Sequence, residues 1–175
     1  MMVGGRQKNR KTTVDHANLA AGADAILDGR FDTGNHFYPL RVQYEDTDAG
    51  GIVYHAQYLA FAERARSAWL RCVGIDQPAM LADDRLGFVV RRIEADFHLP
   101  AGLGDILDVD SGLLRLGGAS LKLQQKIINR ENRHILARLV VDIGLVELAH
   151  GAQPKICRLP AAVKAKFSGL ALSDG

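Results

Sequence analysis

The sequence predicts an α+β fold in which an antiparallel sheet wraps around one long central helix. Three observations lead there. The segment from about Ala56 to Val73 places Tyr58, Phe61, Ala62, Ala65 and Trp69 at the i, i+3, i+4, i+7, i+11 spacing of one buried helix face. Four stretches with strand character follow, Phe88–His98, Asp105–Leu116, Ser120–Asn129 and His134–Glu147, separated by turn residues such as Pro100, Gly102, Gly104 and Gly117-Gly118. No helical segment lies between these strands, so hairpins connect them and βαβ crossovers do not. A helix with so broad an apolar face needs a cover, and a curved sheet supplies it. The open edge of such a sheet favours pairing with a second copy.

In order along the chain, residues 1–34 read as a tail, polar and basic at first, with one short helix expected over Asp15–Leu27 before Gly29 and Gly34 break it. Residues 35–170 read as the folded domain and 171–175 as a C-terminal tail. Within the domain, His36–Tyr44 alternates at Leu40, Val42 and Tyr44 and predicts a strand. The turn-rich run Glu45-Asp46-Thr47-Asp48-Ala49-Gly50-Gly51 comes next, then the long helix, which Gly74 stops. A helical turn is expected near Gln77–Asp83. In Ser120–Asn129, Leu121, Leu123 and Ile127 face one way, with Lys122, Gln124 and Lys126 opposite. Arg130–Arg133 makes a polar turn. Ile135, Ala137, Leu139, Val141, Ile143 and Leu145 share one side of the last long strand, and Pro160 opens a terminal helix over Ala161–Leu170.

A chain of 175 residues suits one domain with a tail. At that size folding buries roughly 70% of the unfolded surface, so neither disulfide nor metal is needed for stability. Lysine and arginine number 22 against 20 acids, and a net charge of +2 gives no reason to expect a nucleic-acid or membrane partner. Cys72 and Cys157 form no CxxC pair or metal spacing and read as two reduced thiols. No apolar run reaches the ~18 residues of a membrane span. The basic start, Arg6 to Lys11, has no apolar segment behind it, so a cytoplasmic location is expected.

The chemistry lies in Tyr44-Glu45-Asp46-Thr47-Asp48-Ala49-Gly50-Gly51-Ile52-Val53-Tyr54-His55. Three acids occupy a loop, two glycines follow, and a histidine stands at the start of a helix. Amides at a helix N-terminus can bind a developing oxyanion. A nearby carboxylate can attack a thioester carbonyl or activate water, and a thiolate leaves without a strong acid. On pattern alone the same residues also fit plainer roles. A DxD pair can be a solvated turn, a helix cap or a divalent-cation site, and a histidine before a helix can cap or pack. Tyr54 and Tyr58 read as core or pocket walls. Glu63 is either solvated or bonded back to the loop.

The run from Arg41 to Arg71, RVQYEDTDAGGIVYHAQYLAFAERARSAWLR, resembles the hotdog-fold thioesterases, most of all the Tol–Pal-associated acyl-CoA thioesterase (YbgC-like) family within the 4-hydroxybenzoyl-CoA thioesterase superfamily. The family pattern is matched at Tyr44, Asp46, Thr47, Asp48, Gly51, Val53, Tyr54, His55, Tyr58, Glu63 and Arg66, and the likeness extends over roughly residues 36–167. It implies a hotdog fold, sheets paired in a homodimer or homotetramer, and active sites at the subunit interface. It implies acyl-CoA hydrolysis with Asp48 as catalytic carboxylate, His55 as its partner and the amides near Tyr54–His55 as oxyanion hole. Asp46, Gly51, Tyr54, Tyr58 and Glu63 would support the site or line its pocket, with no metal and no cofactor, since coenzyme A is part of the substrate.

Coenzyme A carries phosphates that call for cations. Arg91 and Arg92, with Lys122, Lys126, Lys155 and Arg158, are candidates, and Ser120 is placed to contact the pantetheine arm. Because successive strand residues face opposite ways, one of Arg91 and Arg92 at most is expected in a given groove. Two other functions fit the same fold. One is hydration or dehydration of acyl thioesters, for which the seven-residue spacing from Asp48 to His55 is less suited. The other is a binding role at the inner envelope, with acyl carrier protein as possible partner.

Overall fold

The computed structural model describes residues 27–148, 151, 153–167 and 170. The helix expected over Asp15–Leu27 lies outside them except for Leu27, as does the tail 171–175. The elements are β1 (Arg30–Asp32), β2 (Asn35–Arg41), a 3₁₀ turn (Tyr44–Asp46), α1 (His55–Cys72), α2 (Gln77–Asp84), β3 (Leu86–Phe97), β4 (Ile106–Leu116), β5 (Ser120–Asn129), β6 (Ile135–Glu147), β7 (Lys155–Ile156) and α3 (Ala161–Phe167). The strands form one seven-stranded sheet in the order β1-β2-β4-β5-β6-β3, with β7 beside the end of β6. Every pairing is antiparallel. The expected fold class is therefore observed. Among the described residues no helix is long and apolar enough to cross a membrane.

The predicted stripe of α1 is the centre of the core. Phe61, Ala62, Ala65, Ala68 and Trp69 are almost completely buried, in one cluster with Leu107, Val109, Leu123, Leu139 and Val141 from the facing strands. Asp76 caps α2 through a 3.0 Å bond from the Ala79 N–H. Trp69 stacks on Phe167 of α3 with ring centroids 5.3 Å apart, which seats the last helix.

Three local features differ from the pattern-based expectation. Strand β2 ends at Arg41, ahead of Tyr44, because Val42 turns its N–H to the carbonyl of Asp105 and residues Tyr44–Asp46 coil into the 3₁₀ turn. The sheet begins at Arg30, inside the stretch that reads as a tail. Thr33 (φ 47°) and Gly34 (φ 90°) link β1 to β2 in the left-handed geometry of a two-residue hairpin turn. Finally, Gln125 occupies the core-facing phase of β5. It is fully buried, its Oε1 accepts from Arg66 Nη1 at 2.6 Å, and its Nε2 donates to the Ala62 carbonyl and to Ser111 Oγ, each at 3.0 Å. Every polar atom of the amide is thus used, which lets Arg66 lie buried under the helix.

The β1–β2 hairpin is fastened to the far end of α1. Arg71 grips Asp28 with Nε and Nη2 at 2.6 to 3.0 Å. The Asp28 carbonyl faces His36 Nε2 at 2.6 Å, and His36 is completely buried with no partner for Nδ1 among the described residues. Burial holds the His36 imidazole below its ordinary value of 6.5, against the opposing pull of Asp28. The unfolded chain then binds the proton more readily, so stability is full above pH 6.5 and is lost as the pH falls from there through the lower folded value. Urea unfolding followed against pH should show this slope in the native sequence and a flatter one in His36→Gln.

Candidate active site

The acidic loop is a miniature hairpin. Asp48 N–H donates to the Ile52 carbonyl at 2.9 Å, and Gly51 N–H returns to the Asp48 carbonyl at 3.0 Å. Thr47 pairs with Val53, and Tyr54 N–H donates to the Asp46 carbonyl at 2.9 Å. Gly51 closes the turn at φ +76°, a conformation that favours glycine. Asp48 stands at the exposed corner, its Oδ1 accepting the Gly50 N–H at 2.7 Å. Asp46 is different: it is buried, and its Oδ2 accepts the Gln43 N–H at 2.7 Å. Among the described residues its Oδ1 has no partner.

The hairpin runs directly into α1. Tyr54 is the N-cap, extended at φ −62° and ψ 134°, and offers no side-chain bond to the first turn. Tyr54 N–H is spent on Asp46 and Gln57 N–H donates to the Tyr54 carbonyl at 2.8 Å, so the His55 and Ala56 amides are the first-turn donors that precede the intrahelical ladder and can face a ligand. His55 is the first helical residue, its ring 4.4 Å from that of Tyr54 and edge-on to Phe97 at 6.2 Å. Beside them lies a pocket of about 240 Å³ lined by Ile52, Val53, His55, Tyr58, Phe97, His98, Leu99 and Pro100. The Tyr58 hydroxyl accepts the Ala101 N–H at 3.0 Å, and burial pushes its phenol above the ordinary 10, so it stays protonated. An imidazole and helix-start amides beside this pocket, with a carboxylate on the hairpin that leads into it, can bind an acyl group and stabilise charge on its carbonyl oxygen.

The structure gathers Asp46, Asp48, Gly51, Tyr54, His55 and Tyr58 on this hairpin and the first turn of α1. Glu63 is elsewhere. It lies two turns along α1, with Oε2 at 2.5 Å from Arg66 Nη2 and Oε1 at 3.4 Å from Ser67 Oγ, so it bonds within the helix and not to the loop. The pocket wall Phe97–Pro100 lies far along the chain from the acidic run: Phe97, Leu99 and Pro100 are apolar, and the one polar side chain among them, His98, stands in no motif.

Arg91, Arg92 and Ser120 meet in a second depression of about 390 Å³, on the face of the sheet, together with Arg115, Lys122, Asp142 and Ile143. The expectation that strand alternation separates Arg91 from Arg92 fails here. The register of β3 on β6 slips between Val90 and Arg92, and this bulge lets consecutive side chains line one depression. Gly144 makes room for the Arg91 stem, since a Cβ there would meet Arg91 Cδ at 3.0 Å. Arg92, Asp142, Lys122 and Arg115 form one cross-strand row. Arg92 is paired with Glu94 at 2.7 Å and Lys122 with Asp142 at 3.5 Å.

The thioesterase-like superfamily matches this chain over residues 42–167. The acyl-CoA thioester hydrolase YbgC of Escherichia coli O6:H1 is 42% identical over 120 residues, covering 67% of this chain and 89% of that protein. The acyl-CoA thioesterase YbgC of Haemophilus influenzae is 38% identical over 133 residues, covering 76% and 94%. The crystal structure of a probable thioesterase from Bartonella henselae superposes with a TM-score of 0.65 at 36% identity, covering 72% of this chain and 99% of that one.

The hairpin turn itself is open to test. A Cβ on Gly51 meets nothing within 4 Å, so Gly51→Ala carries only the backbone penalty of its positive φ, about 1 kcal/mol of unfolding free energy. Urea denaturation measures it, and a loss of several kcal/mol would mean that the turn is held more tightly than its contacts show.

Proposed function

The chain belongs to the thioesterase-like superfamily, and we propose that it hydrolyses the thioester of acyl-CoA to free acid and coenzyme A with Asp48 as the reacting carboxylate. The observation that carries this reading is the hairpin that stands Asp48 at its corner and delivers His55 to the uncapped start of α1. The acyl group lies in the pocket between Ile52 and Phe97, its carbonyl oxygen toward the first-turn amides. Asp48 attacks the carbonyl carbon itself or takes the proton from an attacking water. On either route a C–O bond forms, the oxyanion collapses, the C–S bond breaks, and coenzyme A leaves as thiolate, with His55 assisting proton transfer; where Asp48 itself attacked, the product is an acyl anhydride on Asp48, which a water then opens to release the acid and restore the carboxylate. Asp46 supports the hairpin from inside.

The depression around Arg91, Arg92, Arg115 and Ser120 is the proposed seat of the coenzyme A phosphates, supported by its excess of cations. Ile52, Tyr54, Phe97 and Leu99 leave apolar surface exposed around the pocket, and β3 is the last strand of the sheet; both support a homodimer or homotetramer with the site at its interface. Acyl carrier protein remains a proposed partner. The free thiols Cys72 and Cys157 suit a reducing, cytoplasmic compartment.

Asp48→Asn should fold normally and lose at least about 100-fold in kcat on an acyl-CoA panel, the order expected for a lost carboxylate function. Undiminished turnover removes Asp48 from the mechanism. Arg91→Ala should raise KM for acyl-CoA roughly tenfold, the equivalent of one charge-assisted contact, with kcat little changed and the difference shrinking at high salt. An unchanged KM places the phosphates elsewhere.

A further inference from the structure

We propose that Tyr58 is a positioning residue for this reaction: through Ala101, its hydroxyl holds the hairpin that carries Asp48 in place against the helix that carries His55. The inference rests on the reading of Asp48 and His55 given above.

Tyr58 lies one turn beyond His55 on α1 and is 3% exposed, while Ala101, in the connection between β3 and β4, is 0% exposed. Both peptide groups of Ala101 are committed. Its N–H donates to the Tyr58 hydroxyl at 3.0 Å, and its carbonyl accepts the Val53 N–H at 2.9 Å. Val53 is bridged in turn to Thr47, the residue before Asp48. Two hydrogen bonds therefore tie the first turns of α1, through a buried loop residue, to Val53, whose neighbours Ile52 and Tyr54 carry the two bonds that close the hairpin onto Asp48 and Asp46. The ring of Tyr58 also packs edge-on to Phe97 at 5.6 Å, so the same side chain steadies the pocket wall.

Without the hydroxyl, Ala101 N–H is buried with no acceptor. A buried unpaired donor is costly, and the relief is movement of the connection until water reaches the amide. Val53 moves with it, and with Val53 the base of the hairpin. Attack on a carbonyl is sensitive to displacements of this kind, because the reacting atoms must meet at near-contact distance. The Tyr58 hydroxyl exchanges no proton with substrate in this scheme. It sets where Asp48 stands.

The test is Tyr58→Phe in the full chain, assayed with the acyl-CoA that the native protein turns over best. We expect kcat to fall about tenfold with KM within about twofold, and the pH profile of kcat to keep its shape. Amide exchange should quicken at Val53 and Ala101 while β4 and β5 stay protected. Unchanged kcat, a shifted pH profile, or faster exchange spread evenly through the sheet overturns the proposal. Should the variant not fold, native-state exchange of the unaltered protein decides the matter: Val53 and Ala101 must open together with one free energy, and separate opening overturns it. The exchange results bear on the linkage alone, whereas undiminished turnover of Asp48→Asn strikes the catalytic reading, so the two failures are distinct.

Discussion

Burying the apolar stripe of α1 is what the sheet is shaped to do. Phe61, Ala62, Ala65 and Trp69 must leave water, and a single helix cannot bury them alone. A sheet curved around the helix satisfies them and fixes the helix in position and rotation. Alanines along the stripe shorten the distance at which strands can pack. Once α1 is fixed, its first turn is fixed too, and His55 and the uncapped amides point wherever that rotation sends them. The candidate site is in this sense set by packing that takes place far along the helix.

Polar groups admitted to that core are of two kinds. Arg66 is buried but answered: Gln125 meets it from the sheet and Glu63 from the solvent side. A guanidinium left in the same place without Gln125 would keep the penalty of desolvation and lose its compensation. His36 and Asp46 are answered only in part, each keeping one buried atom without a partner among the described residues. They flank opposite ends of α1, where the segments before the helix fold back on it. The fastening at Arg71 and Asp28 is a bidentate pair at the rim, where solvent screens it, so its value lies in orientation more than in energy.

Much of this was legible in the residues. Helix periodicity from Tyr58 to Trp69 located α1, and alternation located β5 and β6 almost to the residue, because burial imposes a period that survives in composition. The density of chemistry-bearing residues between Tyr44 and His55 located the hairpin. What failed to show were features without a period. Strand β1 has three residues, too few to alternate. The bulge at Arg91 is one residue out of register and leaves no compositional trace. The walls Phe97, Leu99 and Pro100 are ordinary apolar residues whose part in the pocket comes only from tertiary placement. Gln125 did carry a signal, a polar residue at the core-facing phase of an alternating strand, whose meaning needed Arg66 opposite.

The bulge in β3 has an effect beyond the depression it builds. A long strand at the rim of a sheet is an invitation to indiscriminate stacking, since its outer amides and carbonyls offer a regular template to any extended chain. The slip between Val90 and Arg92 adds twist and interrupts that template near its middle, with charged Arg91, Arg92, Glu94 and Asp96 on and beyond the break. A foreign strand that begins in step with Leu86 falls out of step before it reaches Phe97. An edge of this shape resists the aggregation that a flat edge of this length would promote.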